Sequence, residues 1–289
     1  MRSIAKLMKD WQFTGPNGVT TAVELPHTWN ARDGQDGGND YWRGCCTYCT
    51  RFAAPVYDPA QQQVWLQFEG VNASAAVLLN GQQLCTHDGG YSTFRAEVTE
   101  LLQAENQLTV RVDNSVNDRV YPQKADFTFY GGIYRDVSLL VVNKNHIALG
   151  HFGDTGVKIT PALQENSADI QVETLVEGSG TVTVELLDAE GRTAAKGEGE
   201  NTFLHLDAPH LWNGIKDPYL YTCVVRLLQD GKPVDEVTTK VGLRSFSVDP
   251  KKGFSSTAGP IPFTVCLAIR TARVWATPSP GRCMMRTWR

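Results

Sequence analysis

The chain has 289 residues, enough for two domains of about 100–150 residues each. Charged residues make up 20% and hydrophobic residues 42%, a composition typical of globular proteins and unlike that of disordered or collagen-like chains. The net charge of −4 gives no electrostatic reason for a nucleic acid or an anionic membrane as a partner. We therefore expect a globular protein that has neither of these partners.

Two further features bear on the location of the protein. The N-terminal residues lack an uninterrupted apolar run, and nowhere do about 18 apolar residues follow one another. The seven cysteines are an odd number at irregular spacing, which is unlike a disulfide framework. We expect no signal peptide, no transmembrane helix, reduced thiols and a cytoplasmic location.

The first half of the chain shows the alternation of apolar and polar residues that is typical of half-buried β-strands, as in 108–113. Asn80 and Gly81 lie between two apolar runs and predict a β-hairpin, because both residue types tolerate the positive φ of a type I′ turn. The nearly continuous apolar run 137–142 predicts a strand that is covered on both faces. A polar stretch follows, and we place the first domain boundary near residue 144.

Residues 145–249 continue with short strands and regular turns. Alternating segments at 169–176 and 181–188 precede a polar turn (AEGR), and Asp230-Gly231 marks a later turn. Short strands with such turns over about 100 residues are typical of an immunoglobulin-like antiparallel sandwich. Long amphipathic helical runs and internal repeats are absent from the sequence. We predict an all-β protein whose second domain is this sandwich.

The end of the chain differs from the rest in composition. All 31 acidic residues lie before Ser255, whereas Ser255–Arg289 contains five arginines and no Lys, His, Asp or Glu. Its apolar residues follow no strand or helix period. We therefore expect 250–289 to be a poorly ordered tail without a core of its own.

Two strand-poor stretches concentrate polar and aromatic residues. They are 26–44 (PHTWNARDGQDGGNDYWRG) and 113–137 (DNSVNDRVYPQKADFTFYGGIYRDV). Carboxylates and amides bond sugar hydroxyls while aromatic faces cover the apolar C–H surface of a sugar ring, so the composition fits a sugar site. Solvated, turn-rich loops have the same composition, and the residues alone favour this second explanation.

Both stretches belong to a longer series of motifs. Between residues 10 and 254 the chain reads, in order, LPHTWNARDGQDGGNDYWRG, FEGVNASAAVLLNG, DGGYSTFRAEVT, VDNSVNDRVYPQKADFTFYGGIYRDVSLLVV, LWNGIKDPYLYT and VGLRSFSVDPKKGF. This series resembles the β-galactosidase branch of glycoside hydrolase family 2. The resemblance implies a jelly-roll, galactose-binding-like sandwich at 1–144 and the immunoglobulin-like sandwich at 145–249. It implies that 250–289 is the truncated start of a catalytic TIM barrel.

The resemblance also implies the chemistry of the protein. Retaining glycoside hydrolysis needs two carboxylates about 5–5.5 Å apart, and in the family both are barrel glutamates. We therefore expect an N-terminal fragment of a carbohydrate-degrading hydrolase that has no catalytic residue and is inactive alone. Asp126 matches an aspartate that reaches sugar hydroxyls in relatives, and Asn39 and Asp40 lie on a family loop near the same subsite. The expected partner is a β-galactoside-type sugar.

Several alternatives stay open. The chain could act as a stand-alone, weak carbohydrate-binding module, or as a structural piece that joins a barrel supplied in trans. Apolar surface that a barrel would cover could lead to self-association. The string DFTFYGGIYRDV favours β-galactosidase over β-glucuronidase or β-mannosidase, but most sugar-selecting residues of the family lie in the barrel. No cofactor is expected in this chain, although relatives bind an alkali or magnesium ion near the active site.

Two local patterns suggest structural roles. Cys46-x-x-Cys49 has half the spacing of a zinc site, but no second ligand pair follows, so we expect no metal and packed thiols instead. Strand alternation predicts Cys45 and Cys49 on one face and Cys46 on the other. Arg135 and Asp136 are expected to form a structural ion pair.

The tail can be read as family sequence in another frame. Met and Trp have single codons, so CMMRTWR at 283–289, read from the third base of its first codon, can encode His-Asp-Glu-Asp-Met-Ala. The same offset gives His-Gln-Asp from 268–271 and Asn-Ala-Ile from 276–279. The family barrel has a His-Gln-Asp segment and the same six-residue string. We interpret the tail as the product of a one-nucleotide frameshift near Phe254; the alternative is a genuine basic extension.

Overall fold

The computed structural model describes residues 1–31, 41–122, 129–150, 153–251, 253–256 and 259–260. These residues form β-strands and one short 3-10 turn, Thr99–Leu101, and they contain no α-helix. No helix among them has the length and apolar character needed to cross a membrane. The strands are β1 (Ser3–Lys6), β2 (Trp11–Thr14), β3 (Thr20–Val23), β4 (Cys45–Ala53), β5 (Gln62–Phe68), β6 (Val71–Asn72), β7 (Ser74–Leu79), β8 (Gln82–Asp88), β9 (Phe94–Glu97), β10 (Glu105–Asp113), β11 (Gly132–Ile133), β12 (Val137–Asn143), β13 (His146–Ile147), β14 (Val157–Leu163), β15 (Ser167–Thr174), β16 (Val176–Glu177), β17 (Thr181–Leu187), β18 (Thr193–Glu198), β19 (Asn201–Asp207), β20 (Tyr221–Gln229), β21 (Lys232–Val241), β22 (Phe246–Asp249), β23 (Gly253–Ser256) and β24 (Gly259–Pro260).

The described residues divide into two compact units. We call one the jelly-roll unit; it contains Ile4–Tyr57 and Val64–Leu140. We call the other the sandwich unit; it contains Met1–Ser3, Asp58–Gln63 and the described residues from Val141 onward. The domain boundary near residue 144 stays a prediction.

The jelly-roll unit contains most residues of two larger sheets. One has six strands in the order β3-β2-β4-β10-β7-β8, and the other has four in the order β1-β12-β5-β9. Along β4 and β10 every second side chain is buried, which is the pattern of a sheet with one face on the core and one in solvent. The run 137–142 is buried at every position, as its continuous apolar sequence predicts.

The predicted hairpin turn is confirmed. Asn80 and Gly81 join β7 to β8 with φ values of 52° and 84°. Asp230 and Gly231 join β20 to β21 in the same way, with φ values of 49° and 72°. Positive φ at both central residues matches the right-handed twist of the flanking strands, so the local sequence fixes these two registers.

The sandwich unit contains a three-stranded sheet, β14-β15-β19, and a four-stranded sheet, β18-β17-β20-β21. Alternate residues of the strands build one apolar cluster that includes Ile170, Val184 and Leu227, each at most 1% exposed. Two such sheets packed through alternating apolar residues form the predicted immunoglobulin-like sandwich. The all-β fold, with a jelly roll followed by this sandwich, is therefore confirmed.

An ion pair with a fully buried carboxylate lies in the sandwich unit. Asp235 is 0% exposed, and its carboxylate accepts hydrogen bonds from Arg2 Nε at 2.8 Å and Arg2 Nη2 at 2.6 Å. The backbone amides of Ile147 and Glu236 donate to the same carboxylate at 2.8 and 3.0 Å. Four donors on two oxygens satisfy the buried charge and tie the N-terminal residues to this unit.

The last described strands form a small three-stranded sheet, β22-β23-β24. Its residues Phe246 and Val248 are 72% and 75% exposed, and the rings of Phe246 and Phe254 stack with centroids 6.1 Å apart. The predictions for the tail concern residues that lie mostly outside the described part of the chain.

Candidate functional site

The three residues predicted to contact a sugar, Asn39, Asp40 and Asp126, lie outside the described residues. The chain is described up to Ala31 and again from Tyr41 on. Around Asp126 it is described up to Pro122 and again from Phe129 on. The structure therefore shows how the ends of these two segments are held, and it leaves the sugar-contacting roles as predictions.

A network of buried asparagines holds these ends together. The side-chain oxygen of Asn30 accepts hydrogen bonds from the backbone amide of Gly131 at 2.8 Å and from Asn114 Nδ2 at 3.2 Å. Asn30 Nδ2 donates to the carbonyl of Trp42 at 2.9 Å. Asn114 Oδ1 accepts from the amide of Gly44 at 2.9 Å. Because Asn30 and Asn114 are only 0% and 6% exposed, losing one partner would leave a buried polar group unsatisfied.

A third asparagine extends the network along β6. Asn72 is 6% exposed, and its Nδ2 donates to the carbonyl of Tyr130 at 2.9 Å. Thr28 Oγ1 donates to the carbonyl of Gly131 at 2.7 Å. Both bonds reach the segment that follows Phe129. The backbone at Tyr130 and Gly131 is therefore held by two segments that lie far apart in the chain, one at Thr28 and one at Asn72.

Two glycines let the backbone approach closely at this point. A Cβ on Gly131 would lie 2.3 Å from Cζ2 of Trp29 and 2.7 Å from Nδ2 of Asn114. Gly132 has a φ of 136°, and a Cβ there would lie 2.4 Å from the carbonyl oxygen of His27. Side chains at these positions would push the chain off the asparagine network, which explains the Gly131-Gly132 pair where β11 begins.

A histidine and a tyrosine lie beneath these glycines. His27 Nδ1 and the hydroxyl of Tyr48 form a hydrogen bond of 2.8 Å. Burial lowers the pKa of His27 and raises the pKa of Tyr48 well above its usual value, so both are neutral at pH 7. A neutral pair packed against Phe13, with ring centroids 4.8 and 4.9 Å away, supports the site and carries no charge for chemistry.

A small cavity lies at the same end of the jelly-roll unit. It measures about 20 Å³ and is lined by Tyr41, Arg43, Asn72, Ala73, Tyr91, Asn114, Ser115, Asn117, Val120, Pro122 and Phe129. This volume holds about one water molecule. The described residues therefore form the base of a polar site, and they do not by themselves enclose a sugar.

Exposed aromatic rings surround this base. Tyr91 and Tyr121 are 57% and 72% exposed, and Trp42 is 36% exposed. Trp42 meets Trp29 edge to face with centroids 6.1 Å apart, and Tyr91 meets Tyr134 in the same way at 6.4 Å. Exposed rings that are fixed from behind can stack on the apolar face of a sugar ring.

The loop that carries Tyr91 is anchored at both sides. Arg119 Nε donates to Asp88 at 2.9 Å, and Ser74 Oγ donates to the other oxygen of Asp88 at 2.5 Å. The hydrogen bond from Ser74, followed by that from Arg119, lowers the pKa of Asp88. His87 Nε2 bonds Ser92 Oγ at 3.0 Å on the other side of the loop. The loop therefore holds Tyr91 at the cavity rim.

The predicted ion pair between Arg135 and Asp136 is wrong. Asp136 pairs with Lys6 at 2.6 Å. Arg135 Nη1 donates to the carbonyls of Glu69 at 3.3 Å and Tyr91 at 3.2 Å. Arg135 lies at a bend before β12, and the two neighbouring side chains reach partners on different segments.

The predicted faces of the β4 cysteines are confirmed, whereas the expectation of packed thiols does not hold for Cys45, which is exposed. Cys46 is 2% exposed, whereas Cys45 and Cys49 lie on the opposite, more exposed face. The five cysteines within the described residues, including Cys85 and Cys223, are free. Burial raises the pKa of Cys46 to about 12. Within the described ranges no three His, Cys, Asp or Glu residues are grouped as metal ligands.

The sequence patterns missed the roles of the three asparagines and, within the aromatic rim, Tyr91. Asn30, Asn72 and Asn114 carry no local motif, because their partners come from segments far apart in the chain. Asn30 and the backbone of Gly131, for example, are 101 positions apart. The clustering of aromatic residues in 26–44 and 113–137 was the only signal in the sequence for this part of the site.

Two family models match the chain. The model described as the glycosyl hydrolase 2 galactose-binding domain-like region matches residues 39–162, and the model described as glycosyl hydrolases family 2 matches residues 151–244. A β-glucuronidase of Bacteroides fragilis is 34% identical, with 86% of this chain and 39% of the relative covered. A β-galactosidase of Bacteroides ovatus is 32% identical, with 85% and 32% covered.

Solved structures agree with these matches. An FMN-binding β-glucuronidase from Faecalibacterium prausnitzii superposes with a TM-score of 0.86 at 35% identity, over 91% of this chain and 42% of that one. A putative β-galactosidase from Bacteroides fragilis superposes with a TM-score of 0.82 at 34% identity, over 90% and 44%. The chain thus spans less than half the length of these relatives. It belongs to glycosyl hydrolase family 2, with the galactose-binding-like and immunoglobulin-like domains of that family.

Proposed function

We propose that this chain forms the sugar-recognising part of a family 2 glycosidase that acts on β-galactosides. In this proposal Asp126, Asn39 and Asp40 bond sugar hydroxyls, and the rings of Tyr91 and Tyr121 flank the sugar. The observation that carries the proposal is the asparagine network, which ties the ends of both predicted sugar-binding segments to one end of the jelly-roll unit.

The proposal assigns sugar binding to this chain and catalysis to a separate domain, and this assignment follows from the chemistry of hydrolysis. A retaining glycosidase needs one carboxyl group to protonate the leaving oxygen and a second to attack the anomeric carbon. In this proposal both carboxyls belong to a catalytic domain, and the chain alone does not hydrolyse glycosides. The tail from Ser255 on is proposed to replace the start of that domain through a frameshift.

The β-glucuronides are the alternative substrate class. Relatives named as β-glucuronidases and as β-galactosidases match this chain at similar identity, 34% and 32%. The motif DFTFYGGIYRDV favours the galactoside, whereas a uronate would add a carboxylate that needs a cationic partner. A direct comparison of the two sugars decides between the classes.

Ligand-observed NMR with methyl β-galactoside and methyl β-glucuronide tests the proposal. We expect weak binding of the galactoside, with a Kd of order millimolar, because only part of the sugar is contacted. Asp126→Ala should abolish this binding, and the matched control Asp118→Ala, in the same polar stretch, should leave it unchanged. Equal binding by Asp126→Ala, or preference for the glucuronide, would contradict the proposal.

Activity assays separate this role from that of a stand-alone binding module. If the chain serves a hydrolase, adding a catalytic domain from a family 2 β-galactosidase should restore cleavage of p-nitrophenyl β-galactoside. Sugar binding that persists without any such restoration favours the stand-alone module. Cleavage by the purified chain alone would contradict the proposal that the catalytic carboxyls belong to another domain.

A further inference from the structure

A second and larger cavity lies on the jelly-roll unit, away from the predicted sugar site. It measures about 310 Å³, and six residues line it: Asp10, Gln12, Cys49, Thr50, Arg51 and Gln107. A water molecule takes about 30 Å³ of liquid, so this space is large enough for a small organic ligand. None of these residues contributes to the asparagine network or to the aromatic rim.

The six-stranded sheet places the lining residues side by side. Gln12 of β2 is opposite Cys49 of β4, and Arg51 of β4 is opposite Gln107 of β10. All four lie on the sheet face that points away from the core, where every second residue of β4 is buried on the opposite side. The cavity floor is therefore a rigid sheet.

Hydrogen bonds fix two of the groups around this floor. Thr50 Oγ1 donates to the carbonyl of Asp10 at 3.1 Å, which holds the turn before β2 against β4. Asp10 has a φ of 60° in that turn. Gln107 Nε2 donates to Cys49 Sγ at 3.3 Å.

One acidic residue, Asp10, and one basic residue, Arg51, line the cavity, and they form no ion pair with each other. The carboxylate of Asp10 and the guanidinium of Arg51 form no ion pair or side-chain hydrogen bond with any described residue. Arg119 and Asp88, on the same unit, do form such a pair. A ligand with a positive and a negative end could satisfy both charges at once.

The lining also argues against a neutral sugar. No aromatic ring is among the six residues, so the stacking that holds the apolar face of a sugar is missing. We propose that this cavity binds a short zwitterionic peptide. Its ammonium group lies at Asp10, its carboxylate at Arg51, and its amide groups at Gln12 and Gln107.

Triglycine is a suitable probe because it carries both charges and two amides on 13 non-hydrogen atoms. At about 0.3 kcal/mol per atom, its expected Kd is about 1 mM. Titration followed by ¹H–¹⁵N NMR should shift the amide signals of Gln12, Cys49, Arg51 and Gln107. N-acetyltriglycine and triglycine amide, which each lack one terminal charge, should bind about 3–5-fold more weakly.

Variants assign each charge to its partner. Arg51→Met should bind triglycine and triglycine amide equally, and Asp10→Asn should bind triglycine and N-acetyltriglycine equally. Asparagine suits the positive φ of residue 10, so this variant keeps the turn. Two matched controls should behave as the unmodified chain: Arg111→Met, an exposed arginine of β10 outside the cavity, and Asp230→Asn, an exposed turn aspartate with positive φ.

Three results would overturn the assignment. They are the absence of shifts at the cavity residues under saturating triglycine, equal affinity of the blocked and free peptides, and tighter binding of galactose than of triglycine at this cavity. The test is independent of the proposed sugar site, because Asp126→Ala should leave the triglycine titration unchanged.

Discussion

Replacing Arg2 by methionine should destabilise the sandwich unit by about 3 kcal/mol. The substitution keeps much of the aliphatic stem but removes two of the four donors on the buried Asp235 carboxylate, at 2.8 and 2.6 Å. The backbone amides of Ile147 and Glu236 remain, and they cannot neutralise the charge. Breaking a buried pair by removing one partner costs about 3–5 kcal/mol, and we take the lower end because the Arg2 side chain is 16% exposed.

Urea unfolding followed by NMR at the buried Ile170 methyl group reports on this unit alone. With a denaturant slope of about 1.5 kcal/mol per molar, the unfolding midpoint should fall by about 2 M. A double-mutant cycle with Asp235→Asn should give a coupling energy of about 2 kcal/mol. Lys158→Met, which breaks the exposed pair with Glu173 at 2.7 Å, should cost less than about 0.5 kcal/mol. A coupling below about 0.5 kcal/mol would show that Arg2 does not stabilise the buried Asp235 carboxylate.

Three further predictions concern single side chains. Hydrogen bonding to Asp169 raises the pKa of His205, so the stability that this histidine adds is present below about pH 6 and lost as the pH rises through its folded pKa. NMR titration should place the pKa of His205 above 6.5, and His205→Gln should flatten the fall in stability over that range. Gly131→Ala should destabilise the jelly-roll unit by about 1–3 kcal/mol through the clash with Trp29, as read from thermal unfolding; an unchanged midpoint would show that the ring moves aside. Iodoacetamide should leave Cys46 unmodified in the folded chain, and rapid alkylation there would contradict its burial.

Features that depend on neighbouring residues were accessible from the sequence. The turn at Asn80-Gly81 follows from the φ preference of two adjacent residues, and the buried strand at 137–142 follows from its own apolar run. Strand alternation placed Cys46 inward for the same reason. In each case the determining interaction lies within a few residues of chain.

Features that depend on distant partners were not accessible in this way. The ion pair of Asp136 joins it to Lys6, 130 positions earlier, and no local pattern distinguishes Lys6 from Arg135 as its partner. The asparagine network likewise joins segments about a hundred positions apart, as between Asn30 and Gly131. A single sequence shows which residues are polar, but the hydrogen-bond and ion-pair partners of these residues depend on the fold.

These two domains are proposed to serve the catalytic region of a glycosidase. The nucleotide sequence that follows codon 254 is the first measurement to make on this proposal. We expect a shifted frame that encodes His-Gln-Asp and then His-Asp-Glu-Asp-Met-Ala, and that continues into a region with two catalytic glutamates. If no frame at that locus encodes such a region, the proposal is contradicted, and a stand-alone sugar-binding module becomes the hypothesis to test.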